Sequence, residues 1–171
     1  MRKISLMIVG LFMAIAAQAQ YYNYQNLRTP FHENKVFVGA SMSGFDFNYS
    51  DLEDVKIDLK AQLGYMFFDN VLGYGEVGYN NGGKGPHTIS VGAGFRYYIE
   101  QNGLFLGAKL NFIHANKNYN DLLPGAEIGY AYFLSRSVTI EPAIYYNQSI
   151  KKHSDYSNIG IRIGLGIYLN D

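Results

Sequence analysis

The stretch Ile159-Gly160-Ile161-Arg162-Ile163-Gly164-Leu165-Gly166-Ile167-Tyr168-Leu169 alternates large apolar residues with glycine, arginine or tyrosine and makes no error over its length. Successive side chains of an extended chain point to opposite faces. Period 2 therefore gathers the isoleucines and leucines on one face, and Gly160, Arg162, Gly164, Gly166 and Tyr168 on the other. A strand so divided needs an apolar medium on one side only.

The same division recurs upstream, and strands are expected at about 35–47, 54–68, 71–80, 88–99, 104–115, 122–134, 137–148 and 157–169. Val55, Ile57, Leu59, Ala61, Leu63, Tyr65 and Phe67 oppose Lys56, Asp58, Lys60, Gln62 and Gly64. Ile89, Val91, Ala93, Phe95, Tyr97 and Ile99 oppose Ser90, Gly92, Gly94, Arg96 and Tyr98. Leu104, Leu106, Ala108, Leu110 and Phe112 oppose Phe105, Gly107, Lys109 and Asn111, while Val138, Ile140, Ile144 and Tyr146 oppose Thr139, Glu141, Ala143, Tyr145 and Asn147. The apolar faces carry no mid-strand charge. A basic residue facing lipid at mid-bilayer costs about 2–4 kcal/mol. Slipping the strands by one would expose Lys60, Arg96, Lys109 and Arg162 together, so lipid on the apolar side fixes the register. A soluble binding barrel would need the reverse, an apolar interior.

Connections alternate in length. Asp69-Asn70, Gln101-Asn102-Gly103 and Ser135-Arg136 read as tight turns, and the polar segments near 48–53, 81–87, 116–121 and 149–156 as longer loops. Short turns on one side and long loops on the other, with an even strand number, point to an all-β, eight-stranded antiparallel up-and-down transmembrane β-barrel.

The N-terminus agrees. Arg2 and Lys3 precede an apolar run from Leu6 to Ala17, and Ala17-Gln18-Ala19 offers a small-x-small cleavage site, so residues 1–19 read as a cleavable signal peptide. The run is too short for a spanning helix of about 20 residues. Residues 20–34 read as a polar periplasmic lead-in and 35–171 as the barrel, with both termini periplasmic. The chain has 16 Tyr, 11 Phe and 19 Gly, no Cys and no Trp, which favours strands and excludes a disulfide scaffold. Fourteen basic residues balance fourteen acidic ones, so nothing points to nucleic acid.

The inward face is charged. Lys56, Lys60, Arg96, Lys109 and Arg162 face Asp58, Glu76, Glu127 and Glu141, and a barrel of eight strands is only wide enough for its own side chains to fill. These charges should pair into a plug, with Glu141 and Arg162 on neighbouring strands the favoured pair and Glu127 or Lys109 as alternatives. Pro142 falls mid-strand, where its missing N–H predicts a bulge or a locally broken ladder.

Several local patterns imitate chemistry. Gly73-Tyr74-Gly75-Glu76-Val77-Gly78 has the letters of a dinucleotide fingerprint but no following helix to meet a pyrophosphate. Gly82-Gly83-Lys84-Gly85 lacks the spacing and hydroxyl of a phosphate loop. His32, His87, His114 and His153 lie outside strand cores as solvated residues, and Asp51, Glu53, Asp54 and Asp58 lack the glycine and final glutamate of a calcium loop. No metal site and no cofactor is expected.

The chain from Lys35 to Leu169 resembles the small eight-stranded outer-membrane β-barrel domain proteins, similar in architecture to OmpA and OmpX, and especially the stand-alone forms of Bacteroidetes. The most specific match is the C-terminal insertion signal, carried by Arg162, Gly164, Ile167 and Leu169, although the family pattern usually ends on Phe. The resemblance implies an integral outer-membrane protein in contact with the lipid bilayer and lipopolysaccharide, and inserted by the barrel-assembly machinery reading the last strand. Its aromatic girdles would be Tyr65, Phe67, Tyr97, Tyr130 and Tyr132 at the periplasmic rim and Tyr79, Phe112 and Tyr146 at the outer one. Lipid A deacylases on such scaffolds use a His-x-Ser pair, whereas here Asn34, Ile89, Asn116 and Asp155 stand two places after the histidines. The expected role is therefore structural or surface-interacting and non-enzymatic; a narrow channel is the alternative, and an outer-leaflet lipid-modifying enzyme the third.

Overall fold

The computed structural model describes residues 31–48, 57–81, 87–99, 103–115, 119–151 and 157–169. The expected signal peptide, Lys56, His153, the Gly82–Gly85 run and most of the long loops lie outside them. The strands are β1 (Val36–Asn48), β2 (Ile57–Phe68), β3 (Val71–Asn81), β4 (Thr88–Tyr98), β5 (Leu104–Ala115), β6 (Tyr119–Tyr130), β7 (Tyr132–Phe133), β8 (Val138–Asn147) and β9 (Asn158–Leu169). Consecutive strands pair antiparallel except β6 and β7, which both pair with β8, and β1 pairs with β9. The sheet is thus a closed barrel of eight staves, β6 and β7 forming one stave, and closure leaves no free edge.

The single expected strand 122–134 needs correcting: it starts earlier, at Tyr119, and breaks at Ala131. Pro142 explains the break. Gly129 pairs with Ala143 and Tyr132 with Ile140, but the two rungs between are missing, on the side where Pro142 has no N–H to give. The register is the same on both sides of the gap, and the ladder to β9 runs through Pro142, which pairs with Ile163. It is a broken ladder without a bulge. On the other side of the stave the ladder is intact, the Ala131 N–H donating to Gly103 O at 2.8 Å in line with the β5 register.

Three tight connections gather at one end, here the turn end, together with the start of β1 and the finish of β9. Asn70 turns the chain with φ 67° and Gly103 with φ 76°, both in the left-handed region. At the third, the Ser135 hydroxyl accepts from the Val138 amide at 3.1 Å.

Alternation decides what each face meets. On β2 Leu63 is 64% exposed and Gln62 5%; on β4 Phe95 is 64% exposed and Arg96 1%. Leu59, Val77, Val91, Leu110, Ile144, Ile163 and Leu165 continue the outer apolar surface. Tyr65, Phe67, Tyr97 and Tyr132 stand on it at the turn end, and Tyr79, Phe112 and Tyr146 toward the other. The core is the lumen.

Candidate functional site

The lumen is crowded, and glycine makes the room. Arg96 on β4 lies level with Gly107 on β5, and Gly107 with Glu127 on β6. A Cβ on Gly107 would stand 2.6 Å from Glu127 Cγ, so the bare backbone lets the glutamate lean across to the arginine. Gly94 repeats the device between Tyr74 and Lys109, where a Cβ would meet Tyr74 Cζ at 2.7 Å.

Arg96 is the hub. Its Nε donates to Glu127 Oε1 at 2.6 Å, one terminal nitrogen to Glu141 Oε2 at 2.9 Å and the other to Gln62 Oε1 at 3.0 Å. The guanidinium also stands 4.7 Å from the Tyr74 ring centre and 5.0 Å from that of Phe105, within cation–π range. All three nitrogens of the planar fork are engaged, which a lysine could not reproduce.

From Arg96 the network runs both ways. Gln62 passes it on by donating to Glu76 Oε2 at 2.8 Å, and Lys60 Nζ reaches Glu76 at 3.1 Å and Asp58 at 3.8 Å. Glu127 also faces Arg162 at 2.8 Å and Lys109 at 3.9 Å. Glu141 Oε1 accepts from the hydroxyls of Thr139 and Tyr168, each at 3.0 Å. Tyr168 has one proton, so with Tyr98 Oη at 2.8 Å it accepts from Tyr98 while donating to Glu141. Lys60, Arg96, Lys109 and Arg162 thus balance Asp58, Glu76, Glu127 and Glu141 inside the described barrel.

The favoured Glu141–Arg162 pair does not form. Glu141 lies opposite Gly164 and Arg162 opposite Ala143, and each turns to a strand other than its neighbour's: Glu141 to Arg96 on β4, Arg162 to Glu127 on β6. In so narrow a barrel the far wall is as near as the adjacent stave. Toward the loop end, satisfaction is less complete. Arg162 Nη1, Asn111 Oδ1 and Asn147 Oδ1 are buried, the first donating and the other two accepting no hydrogen bond among the described residues, and the Arg162–Glu127 contact is an ion pair off hydrogen-bond geometry. Buried donors and acceptors left over in a polar lumen suit water.

Two groups had no role in the expectations. Asp121 is buried, bonds Ser149 and takes the Lys151 amide at 3.3 Å, tying the segment after β8 onto β6; it shares the parity of Glu127 but lay just outside the expected strand. Phe31, within the supposed lead-in, is 2% exposed and sits inside the turn end. The dinucleotide-like glycines lie on β3, with Gly73 covered by Phe67 and Phe95. His32, His87 and His114 are exposed, and the described residues bring no three potential metal ligands together. Of the C-terminal set, Arg162 and Gly164 face the lumen, and Ile167 and Leu169 the outside.

No protein-family model and no curated protein matches the sequence. Solved structures do match. Neisserial surface protein A (NspA) is 16% identical with a TM-score of 0.59, over 78% of this chain and 95% of that one. The N-terminal β-barrel domain of Pseudomonas aeruginosa OprF is 14% identical with a TM-score of 0.56, over 80% and 98%. A chain from a de novo design of transmembrane β-barrels is 18% identical with a TM-score of 0.53, over 80% and 97%. What is common at such identities is the fold, and the chain is accordingly a small, closed, eight-stranded antiparallel β-barrel of the transmembrane type, resembling NspA and the OprF barrel domain.

Proposed function

We propose that the protein is an integral outer-membrane barrel with a structural or surface-interaction role, its lumen closed by paired charges. The observation that carries this reading is the inversion of ordinary burial: the large apolar side chains face out around the whole wall, and four cations and four anions are matched within it. Water would not stabilise that exterior, and lipid would. A lumen filled by its own side chains supports closure to solutes, and the reading is non-enzymatic. The signal-peptide pattern of residues 1–19 supports export, and the tight turns, the start of β1 and the finish of β9 at one rim support periplasmic termini. The last strand, with Arg162, Gly164, Ile167 and Leu169, is the segment proposed to engage the barrel-assembly machinery, and lipopolysaccharide the lipid that meets the loop-end girdle.

Two measurements test this. The protein should sediment with the outer membrane and resist carbonate extraction; recovery in the soluble periplasm would overturn the placement. Refolded into planar bilayers, it should show no steady conductance, and regular single-channel steps would replace closure by a channel.

A further inference from the structure

We propose that the turn end of the barrel is an aromatic socket for one ring, that the chain's own Phe31 fills it, and that Phe31 is a removable stopper held in place by the strap of residues 32–35. The socket is built by the lumen wall. Phe31 stacks on Tyr98 with ring centres 3.9 Å apart and planes 15° from parallel, meets Tyr168 edge-on at 5.5 Å, and touches Phe133 at 5.4 Å. Tyr98 and Tyr168 are the two rings whose hydroxyls lead to Glu141 and so to Arg96. One side chain from outside the barrel strands therefore covers the path from the turn end to the charge network.

The strap is separate from the wall. The Asn70 amide donates to Phe31 O at 2.8 Å, and the Asn34 amide to Met66 O at 2.9 Å. Asp69 takes the Glu33 amide at 2.9 Å and faces His32 at 3.5 Å, and Tyr65 donates to Asn34 at 2.9 Å. These bonds go to the turn between β2 and β3 and to the end of β2. Asn34 stands at φ 65°, the bend that brings the strap back across the barrel mouth before β1 begins. Withdrawing residues 31–34 breaks no rung of the closed sheet. Stacked rings with no bond to the ring itself make an anchor that can leave and return, whereas the wall cannot open without losing ladder.

The chain has no cysteine, so Thr139→Cys gives a single thiol, at a fully buried lumen position beside Glu141. Its modification by a small charged thiol reagent reads water access at the turn end. With Phe31→Ala added, labelling should accelerate roughly tenfold or more, as expected when a local opening is made easy. Toluene should slow it again, because an apolar cavity of benzyl size takes up a small aromatic. A Ser43→Cys thiol in the loop half should react at the same rate with and without Phe31→Ala. Unchanged labelling at position 139 in the folded variant, or equal acceleration at 139 and 43, would overturn the stopper. Should Phe31→Ala fail to fold, Asp69→Ala cuts the strap and keeps the ring; faster labelling at 139 then supports the proposal, and an unchanged rate overturns it.

Discussion

The two halves of the lumen are built on the same staves and the same period, yet they solve burial in different ways. In the turn half, each nitrogen of Arg96 bonds one of Glu127, Glu141 and Gln62, the rings of Phe37, Tyr74 and Phe105 stand against its guanidinium, and Phe31, Tyr98 and Tyr168 fill the bore beside them. Toward the loop half, Arg162, Asn111 and Asn147 keep polar atoms that find no hydrogen-bond partner among the described residues. Volume makes the difference. Where aromatic rings fill the bore, a charge must be satisfied by its neighbours; where Ser41, Ser43, Asn111 and Gly160 line it, water can complete the bonding. A barrel interior is thus a choice of solvent made residue by residue.

The hub of the turn half should give the largest loss. Glu127→Gln leaves Arg96, Arg162 and Lys109 facing an uncharged amide, and breaking a buried pair on one side costs about 3–5 kcal/mol. Urea midpoints of the refolded protein check it. In the same assay, Glu127→Gln with Arg162→Met should be non-additive, because the groups touch, while Glu141→Gln with Arg162→Met should lie close to additive; equal coupling in both cycles would erase the distinction between the halves.

The outer surface should not know which half lies beneath it. Ile163→Arg, on the apolar wall, should reduce insertion by about 2–4 kcal/mol, against little change for Gly160→Ala on the inner face; folding yields into vesicles measure both, and equal tolerance would mean the faces are reversed.

Single hydroxyls should give smaller, graded effects. Tyr168→Phe removes the bond to Glu141 in the dry half, worth about 1.5–3 kcal/mol for a charged acceptor. Ser43→Ala, which loses a 3.3 Å bond from Tyr145 where water can substitute, should cost under about 0.5 kcal/mol. Equal losses in urea melts would argue that both halves are dry.

Much of this was legible in the residues and some was not. Alternation alone assigned the face of Lys60, Arg96, Lys109, Glu141 and Arg162, because period 2 carries facing directly. It could not assign partners. Arg96 meets Glu127 over Gly107, and Glu141 across the bore, and crossing contacts depend on barrel radius and strand tilt, which no single strand encodes. Asp121 was within reach of the parity rule had β6 been started three residues earlier. Phe31 was not: it belongs to no strand, and a single ring in a polar stretch carries no period. Pro142 announced a broken ladder correctly, but nothing local told that the register would survive it.

The seam between β1 and β9 has a consequence in time. Every other stave finds its partner in the hairpin just made, but Val36 pairs with Leu169 and Asn48 with Asn158, so this contact spans the whole barrel sequence and is the slowest kind to form. Until β9 docks, β1 presents an unmatched edge open to any passing strand. A half-made chain is therefore committed neither to closing nor to staying apart, and must be kept from its siblings until the last stave arrives. Closure of this one seam, rather than the strength of any single bond, sets when the molecule is safe.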